Sequence, residues 1–256
     1  MGLLPDNKVP ATSLNPKTLV IYGHTKQGKT TIVANLEDNL LIDLEGGSRF
    51  YDCLKVDIVA MGEDRPDKSQ WLAFKDIIGE LKAYKDANGK NKYKYITVDT
   101  VGKLEDLVMP YAIQLHKAAP QNKNFQGTNL KGVPNGAGWG PIRDAFFNII
   151  AVLNLYCETV ILISHTKAKT VNRAGSELNV SDIDVSGKMS QMLAGNADAI
   201  ALIYRKKNQT ILNFKSEELQ VSGARVDHLR EREIVICESD DKDNLTFHWD
   251  KIFKQI

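Results

Sequence analysis

Apolar residues along this chain gather in short runs bounded by polar or glycine positions, and those runs alternate with stretches of helical periodicity. Thr18-Leu19-Val20-Ile21-Tyr22, Leu40-Leu41-Ile42-Asp43-Leu44, Tyr95-Ile96-Thr97-Val98-Asp99 and residues 159–164 have the character of strands buried on both faces. Residues 56–61 predict a further strand. Between them, residues 29–37 and 142–156 read as helices, as does a segment from Thr100 to about Lys117. Residues 71–84 place Trp71, Phe74, Ile77, Ile78 and Leu81 on one helical face. Five lysines around Asn88-Gly89, within 82–94, read as a solvated turn. Residues 120–141, with five glycines and three prolines, predict a long loop, and 166–185 a second, polar one. A short helix at 188–194 leads into strands at 199–204 and 210–215. A hairpin, 233–238 with 245–249, turns at the polar run 240–244.

Strands alternating with helices imply an α/β fold: a mostly parallel sheet flanked by helices, with antiparallel additions at the C-terminal edge. Residues 1–16 read as an irregular N-terminal arm. Residues 17–256 read as one domain whose C-terminal β-hairpin lies at about 231–250.

Composition narrows the partners. The 256 residues are 43% apolar and 25% charged, with a formal net charge of +1. That balance excludes a generally basic nucleic-acid coat, so any phosphate-binding surface is local. Three dispersed cysteines, Cys53, Cys157 and Cys237, fit neither a disulfide framework nor a zinc site. The N-terminus lacks an apolar signal core. Met1-Gly2 opens like a myristoylation site, but Asp6 occupies the position that requires Ser or Thr. A cytoplasmic protein with no membrane partner is expected.

The chemistry concentrates at Gly23-His24-Thr25-Lys26-Gln27-Gly28-Lys29-Thr30, which fits G-x-x-x-x-G-K-[ST] without mismatch and sits between a buried strand and a helix. Such a loop turns its N–H groups, and the positive end of the helix, toward phosphate oxygens. Residues Gly23 to Thr31 are therefore the expected ATP-binding segment. Lys29 would reach the β- and γ-phosphates, and Thr30 would ligate Mg²⁺ with Asp99 at the end of its strand. Thr100 follows Asp99 where many P-loop ATPases carry a water-activating Glu, so Glu45, just past the strand 40–44, is the candidate base. Asp43 is expected to point the same way, two residues earlier. His165 ends the strand 160–164 at the edge where ligands collect in open α/β sheets, in position to act as a sensor.

These residues carry a resemblance. Leu41 to Glu45 resembles the RecA-type strand that delivers the catalytic Glu, residues 95–101 that family's Walker B segment, and 160–165 its sensor strand. Residues 196–205 are similar to a segment of DnaB-type replicative helicases. The compact size and Ser164-His165-Thr166-Lys167 look most like phage-encoded RecA-like ATPases of the Sak single-strand annealing group. The resemblance implies active sites between subunits of a homo-oligomer, with a basic residue supplied in trans. Lys215 matches the DnaB-type finger lysine, although Glu217 stands where that family has Arg; Arg205, Lys207 and Arg225 are the other candidates. It also implies two loops facing single-stranded DNA, here 121–140 and 166–187, with Lys131, Trp139, Lys167, Lys169 and Arg173 as contacts.

The expected function is Mg²⁺-ATP hydrolysis acting on single-stranded DNA in phage recombination, annealing or replication. Single-stranded DNA, further copies of the chain and a single-stranded DNA-binding protein are the expected partners. A P-loop small-molecule kinase and a nucleotide-gated interaction module, such as a helicase loader or packaging accessory, are the alternatives.

Overall fold

A computed structural model of the chain describes residues 7–64, 69–173 and 176–255. In chain order its elements are β1 (Thr18–Gly23), α1 (Lys29–Ala34), β2 (Asn39–Asp43), β3 (Lys55–Asp57), α2 (Ile58–Asp64), α3 (Gln70–Asn88), β4 (Tyr95–Asp99), α4 (Val101–Leu107), α5 (Met109–Ala118), α6 (Trp139–Leu153), β5 (Thr159–Arg173), β6 (Ser176–Ile183), α7 (Met189–Asn196), β7 (Ala199–Lys206), β8 (Gln209–Asn213), β9 (Gly223–Ala224), β10 (Glu233–Ser239) and β11 (Leu245–Phe247).

The sheet runs β11-β10-β8-β7-β1-β5-β4-β2-β3. From β7 to β3 every pairing is parallel, whereas β8, β10 and β11 join antiparallel at the other edge. Side-chain alternation along β1 explains why the central strands read as continuous apolar runs. Val20 and Tyr22 enter a core with Phe74, Ile142 and Phe146, while Leu19 and Ile21 face Ile32, Val33 and Trp249 on the other side.

Several segments differ from the sequence reading. The predicted strand at 56–61 is only the three-residue edge strand β3; α2 begins at Ile58, whose side chain is buried in the core. Helix α3 continues through the lysine-rich stretch to Asn88, where Gly89, at φ 66°, ends it by donating its N–H to the Lys85 carbonyl. The helix expected after Asp99 is two, α4 and α5, separated at Val108 and followed by Pro110 in the first turn of α5.

The largest correction concerns residues 166–185. They are not a loop: β5 runs unbroken out of the sheet and pairs antiparallel with β6 from Thr166↔Ile183 to Arg173↔Ser176.

The segment between α5 and α6 has only two short 3₁₀ turns, at Pro120–Asn122 and Pro134–Gly136, yet it is docked. Leu130 is fully buried, and a Cβ on Gly138 would stand 2.0 Å from the Leu130 carbonyl oxygen, so only glycine fits where the segment folds back. No helix among the described residues is long and apolar enough to cross a membrane.

Candidate functional site

Parallel register brings the C-terminal ends of four strands together. Gly23 of β1 lies opposite His165 of β5, Asp99 of β4 opposite Ile163, and Asp43 of β2 opposite Asp99. Residues that follow strands at this edge therefore converge, although they are far apart in the chain.

The loop after β1 is shaped by two constraints. A Cβ on Gly23 would stand 2.5 Å from the Ile203 carbonyl oxygen, so close packing of β7 requires glycine there. Lys26 (φ 67°) and Gly28 (φ 89°) adopt left-handed backbone, curling the loop into α1. His24, Thr25 and Lys26 are exposed, but Lys29 is only 6% exposed. Its ammonium group donates to the carbonyls of Gly23 and His24, each at 2.8 Å. Burial lowers its pKa, and the nearby carboxylates of Asp99 and Glu45 act in the opposite sense.

Thr30 Oγ1 donates to Asp99 Oδ2 at 2.7 Å. Burial pushes the Asp99 carboxyl up to about 6, against the Thr30 hydrogen bond, which holds it down. A buried carboxylate beside a hydroxyl is a hard-oxygen donor pair suited to Mg²⁺, so the residues present fit that cation.

Glu45 is held at both oxygens. Thr100 Oγ1 donates to Oε1 at 2.7 Å, and His165 Nε2 lies 3.2 Å from Oε2. The expectation that Asp43 would point the same way is not met. Its carboxylate is fully buried and accepts the backbone N–H groups of Glu45, Gly46 and Ser48 at 2.7–2.9 Å. Burial raises its pKa, but these hydrogen bonds outweigh that and leave it below the usual carboxylate range. Asp43 thus builds the turn that presents Glu45.

Arg205 stands in its own chain's site. Its backbone N–H donates to Gln27 Oε1 at 2.9 Å, and its guanidinium lies 3.4 Å from where a Cβ on Gly28 would be. Together with Gly28, Thr31, Asn208 and Gln209 it lines a cleft of about 210 Å³ on the opposite flank of the loop from Glu45. Lys215 is elsewhere. Strand β8 leads away from the loop, from Gln209 opposite Lys206 to Asn213 opposite Leu202, and Lys215 follows its far end, 3.4 Å from Glu233.

Among the described side chains, the three lysines expected to contact DNA each have a partner within the chain. Lys131 Nζ lies 3.0 Å from Glu105 and 2.8 Å from Asp106, Lys167 donates to the Val185 carbonyl, and Lys169 faces Asp182 at 3.8 Å. Trp139 is half-buried against the helical core, and the side chain of Arg173 lies outside the described residues. Thr100, Arg205 and Gln27 gain contacts that motif reading did not assign them. For Thr100 the signal was a hydroxyl where a carboxylate is common.

The family model described as "AAA domain" matches residues 15–226. No curated protein sequence matches the chain. Among solved structures, the RadB recombinase is similar at 14% identity and a TM-score of 0.37, covering 78% of this chain and 81% of that one. A prototypical ATPase from the type III secretion system of pathogenic bacteria is similar at 13% identity and a TM-score of 0.45, covering 88% and 67%.

Proposed function

We propose that this chain, which belongs to the AAA domain family, has a RecA-like P-loop core that binds Mg²⁺-ATP and hydrolyses it to drive work on single-stranded DNA. The observation that carries the hydrolytic reading is the placement of Glu45, aimed by Thr100 and His165 beside the buried Lys29–Thr30–Asp99 group.

In this reading Lys29 exchanges the Gly23 and His24 carbonyls for β- and γ-phosphate oxygens, moving its charge from backbone dipoles to a full anion. Thr30 and Asp99 hold Mg²⁺, which when bound neutralises charge on the phosphates. Glu45 accepts a proton from the attacking water and orients it, while Thr100 fixes the carboxylate and His165 reports its position to β5. The cleft beside Gly28 and Thr31 takes the nucleoside, with Arg205 at its wall. Positioning and electrostatics supply the rate, as phosphoryl transfer requires little covalent chemistry from the protein.

Strand β5 supports the coupling to DNA: one continuous strand carries His165 at the site and then the hairpin. The test is ATP hydrolysis by wild type and Glu45→Gln, with and without single-stranded DNA at two salt concentrations. Wild-type turnover that DNA stimulates, less so as salt rises, is the expected result. Normal hydrolysis by Glu45→Gln would remove Glu45 from the mechanism.

A second reading, the nucleotide-gated interaction module, draws on the internal partners of Lys131, Lys167 and Lys169, which leave those charges engaged. A hydrolysis rate indifferent to DNA would move the output of the hairpin to a protein partner.

A further inference from the structure

Glu105 lies in α4, one turn beyond the Asp99–Thr100 corner, and is only 3% exposed. A carboxylate so placed destabilises the fold unless its partners are well arranged. Its partners come from two directions. Oε1 is 3.0 Å from Lys131 Nζ, in the docked segment between α5 and α6, and Oε2 accepts the backbone N–H of Ser186 at 2.8 Å, where the chain returns from the β5–β6 hairpin.

The 184–186 stretch is itself fastened to the site. The Asp184 N–H donates to Ser164 Oγ and to the His165 carbonyl, both at 3.1 Å. The Asp184 carbonyl oxygen lies 3.3 Å from where a Cβ on Gly102 would stand, so α4 packs directly against it near its first turn. Contacts therefore close a circuit: Glu45 to His165, His165 to Asp184, Ser186 to Glu105, and along α4 to Thr100, which returns to Glu45. The circuit borders an open cleft of about 390 Å³, lined by Glu45 and His165 and by Glu105 and Lys131.

We propose that Glu105 is a positioning residue for hydrolysis, which ties the hairpin and the 119–138 segment to α4 and so keeps Thr100 aimed at Glu45. The proposal rests on the reading of Glu45 as the residue that orients water. Without the Lys131 ammonium, Glu105 is a buried, uncompensated charge; without the carboxylate, α4 loses its hold on both segments. Either change lets the helix move relative to residues 184–186, and Thr100 moves with its first turn. The P-loop lies outside the circuit, so nucleotide affinity is spared while turnover falls.

The experiment is steady-state ATP hydrolysis with Mg²⁺, ATP binding and thermal unfolding for full-length wild type, Glu105→Gln, Lys131→Met and the double variant. Glu105→Gln keeps an acceptor for Ser186 but turns an amide N–H toward Lys131. The expected result is a fall in kcat of about tenfold, the loss of roughly one well-placed interaction, with KM and ATP affinity within about twofold. Lys131→Met should match it, and the double variant should be no slower than either, because the two residues act as one unit. Independent, additive losses, unchanged kcat, or kcat falling in step with ATP affinity would overturn the proposal. Should Glu105→Gln fail to fold, Lys131→Met, at a partly exposed position, decides the matter by the same measurements. Absence of hydrolysis by wild type, or normal hydrolysis by Glu45→Gln, would instead remove the premise and the proposal with it.

Discussion

Thr100 Oγ1 donates a 2.7 Å hydrogen bond to Glu45 Oε1, joining the residue after β4 to the residue beyond β2. The hydroxyl stands where many P-loop ATPases place the acid itself. On the proposed reading the acid is Glu45, just past the neighbouring strand β2, and the Thr100 hydroxyl aims it. Thr100→Val keeps the shape and removes the donor. A hydrogen bond to a charged group contributes ~1.5–3 kcal/mol, so kcat should fall roughly ten- to hundredfold with KM for ATP little changed. Wild-type kcat in Thr100→Val would show that Glu45 is aimed by other groups.

Arg205 and the cleft beside Gly28 predict a specific difference between ligands. On the proposed reading, inorganic tripolyphosphate would fill the P-loop alone, whereas ATP would also fill the cleft. Arg205→Ala should weaken ATP about tenfold, the loss of one or two kcal/mol, and tripolyphosphate much less. Isothermal titration with both ligands and Mg²⁺ checks this. Equal losses for both would place the guanidinium on the phosphates.

Asp99 is a site residue held at a cost to the fold. Its carboxyl, about 6 in the folded chain against an ordinary 3.8, binds its proton more tightly when folded. The penalty is therefore fully present above pH 6, shrinks as pH falls from 6 toward 4, and vanishes below. In EDTA without nucleotide, Asp99→Asn should gain on the order of 3 kcal/mol at pH 8 and almost nothing at pH 4, while losing Mg²⁺-dependent ATP binding. Thermal melts at the two pH values read the difference; a gain that does not depend on pH would mean that desolvation is not its source.

Gly138→Ala tests how the segment between α5 and α6 is docked. The added methyl would meet the Leu130 carbonyl oxygen at 2.0 Å, so the segment must shift. Overpacking of this kind costs ~1–3 kcal/mol. Limited proteolysis should cut within 119–138 faster than in wild type, with the β1–α1 region still protected. An unchanged cleavage rate would show that the backbone yields there without undocking.

Much of this molecule was legible before any coordinates. The strand positions of β1, β2 and β4 followed from uninterrupted apolar runs, because strands buried on both faces leave no room for alternation. The G-x-x-x-x-G-K-[ST] spacing was visible between β1 and α1, and Asp99 and Glu45 stood out by their places at the end of β4 and just past β2.

What the sequence determined by itself is thus local: which segments are strands or helices, and which loop can cradle phosphate. Tertiary structure decided the rest, because it depends on contacts between distant residues. Asp43 and Glu45 stand at the same strand end, yet only the fold shows that one builds a turn and the other faces His165. Polar residues 166–185 looked like loop because a hairpin with one face to solvent has few apolar positions, and pairing of β5 with β6 is invisible until the strands meet. Lys131, Lys167 and Lys169 read in the sequence as contacts for single-stranded DNA. Only packing brought Asp182, the Val185 carbonyl and Glu105 within reach of them.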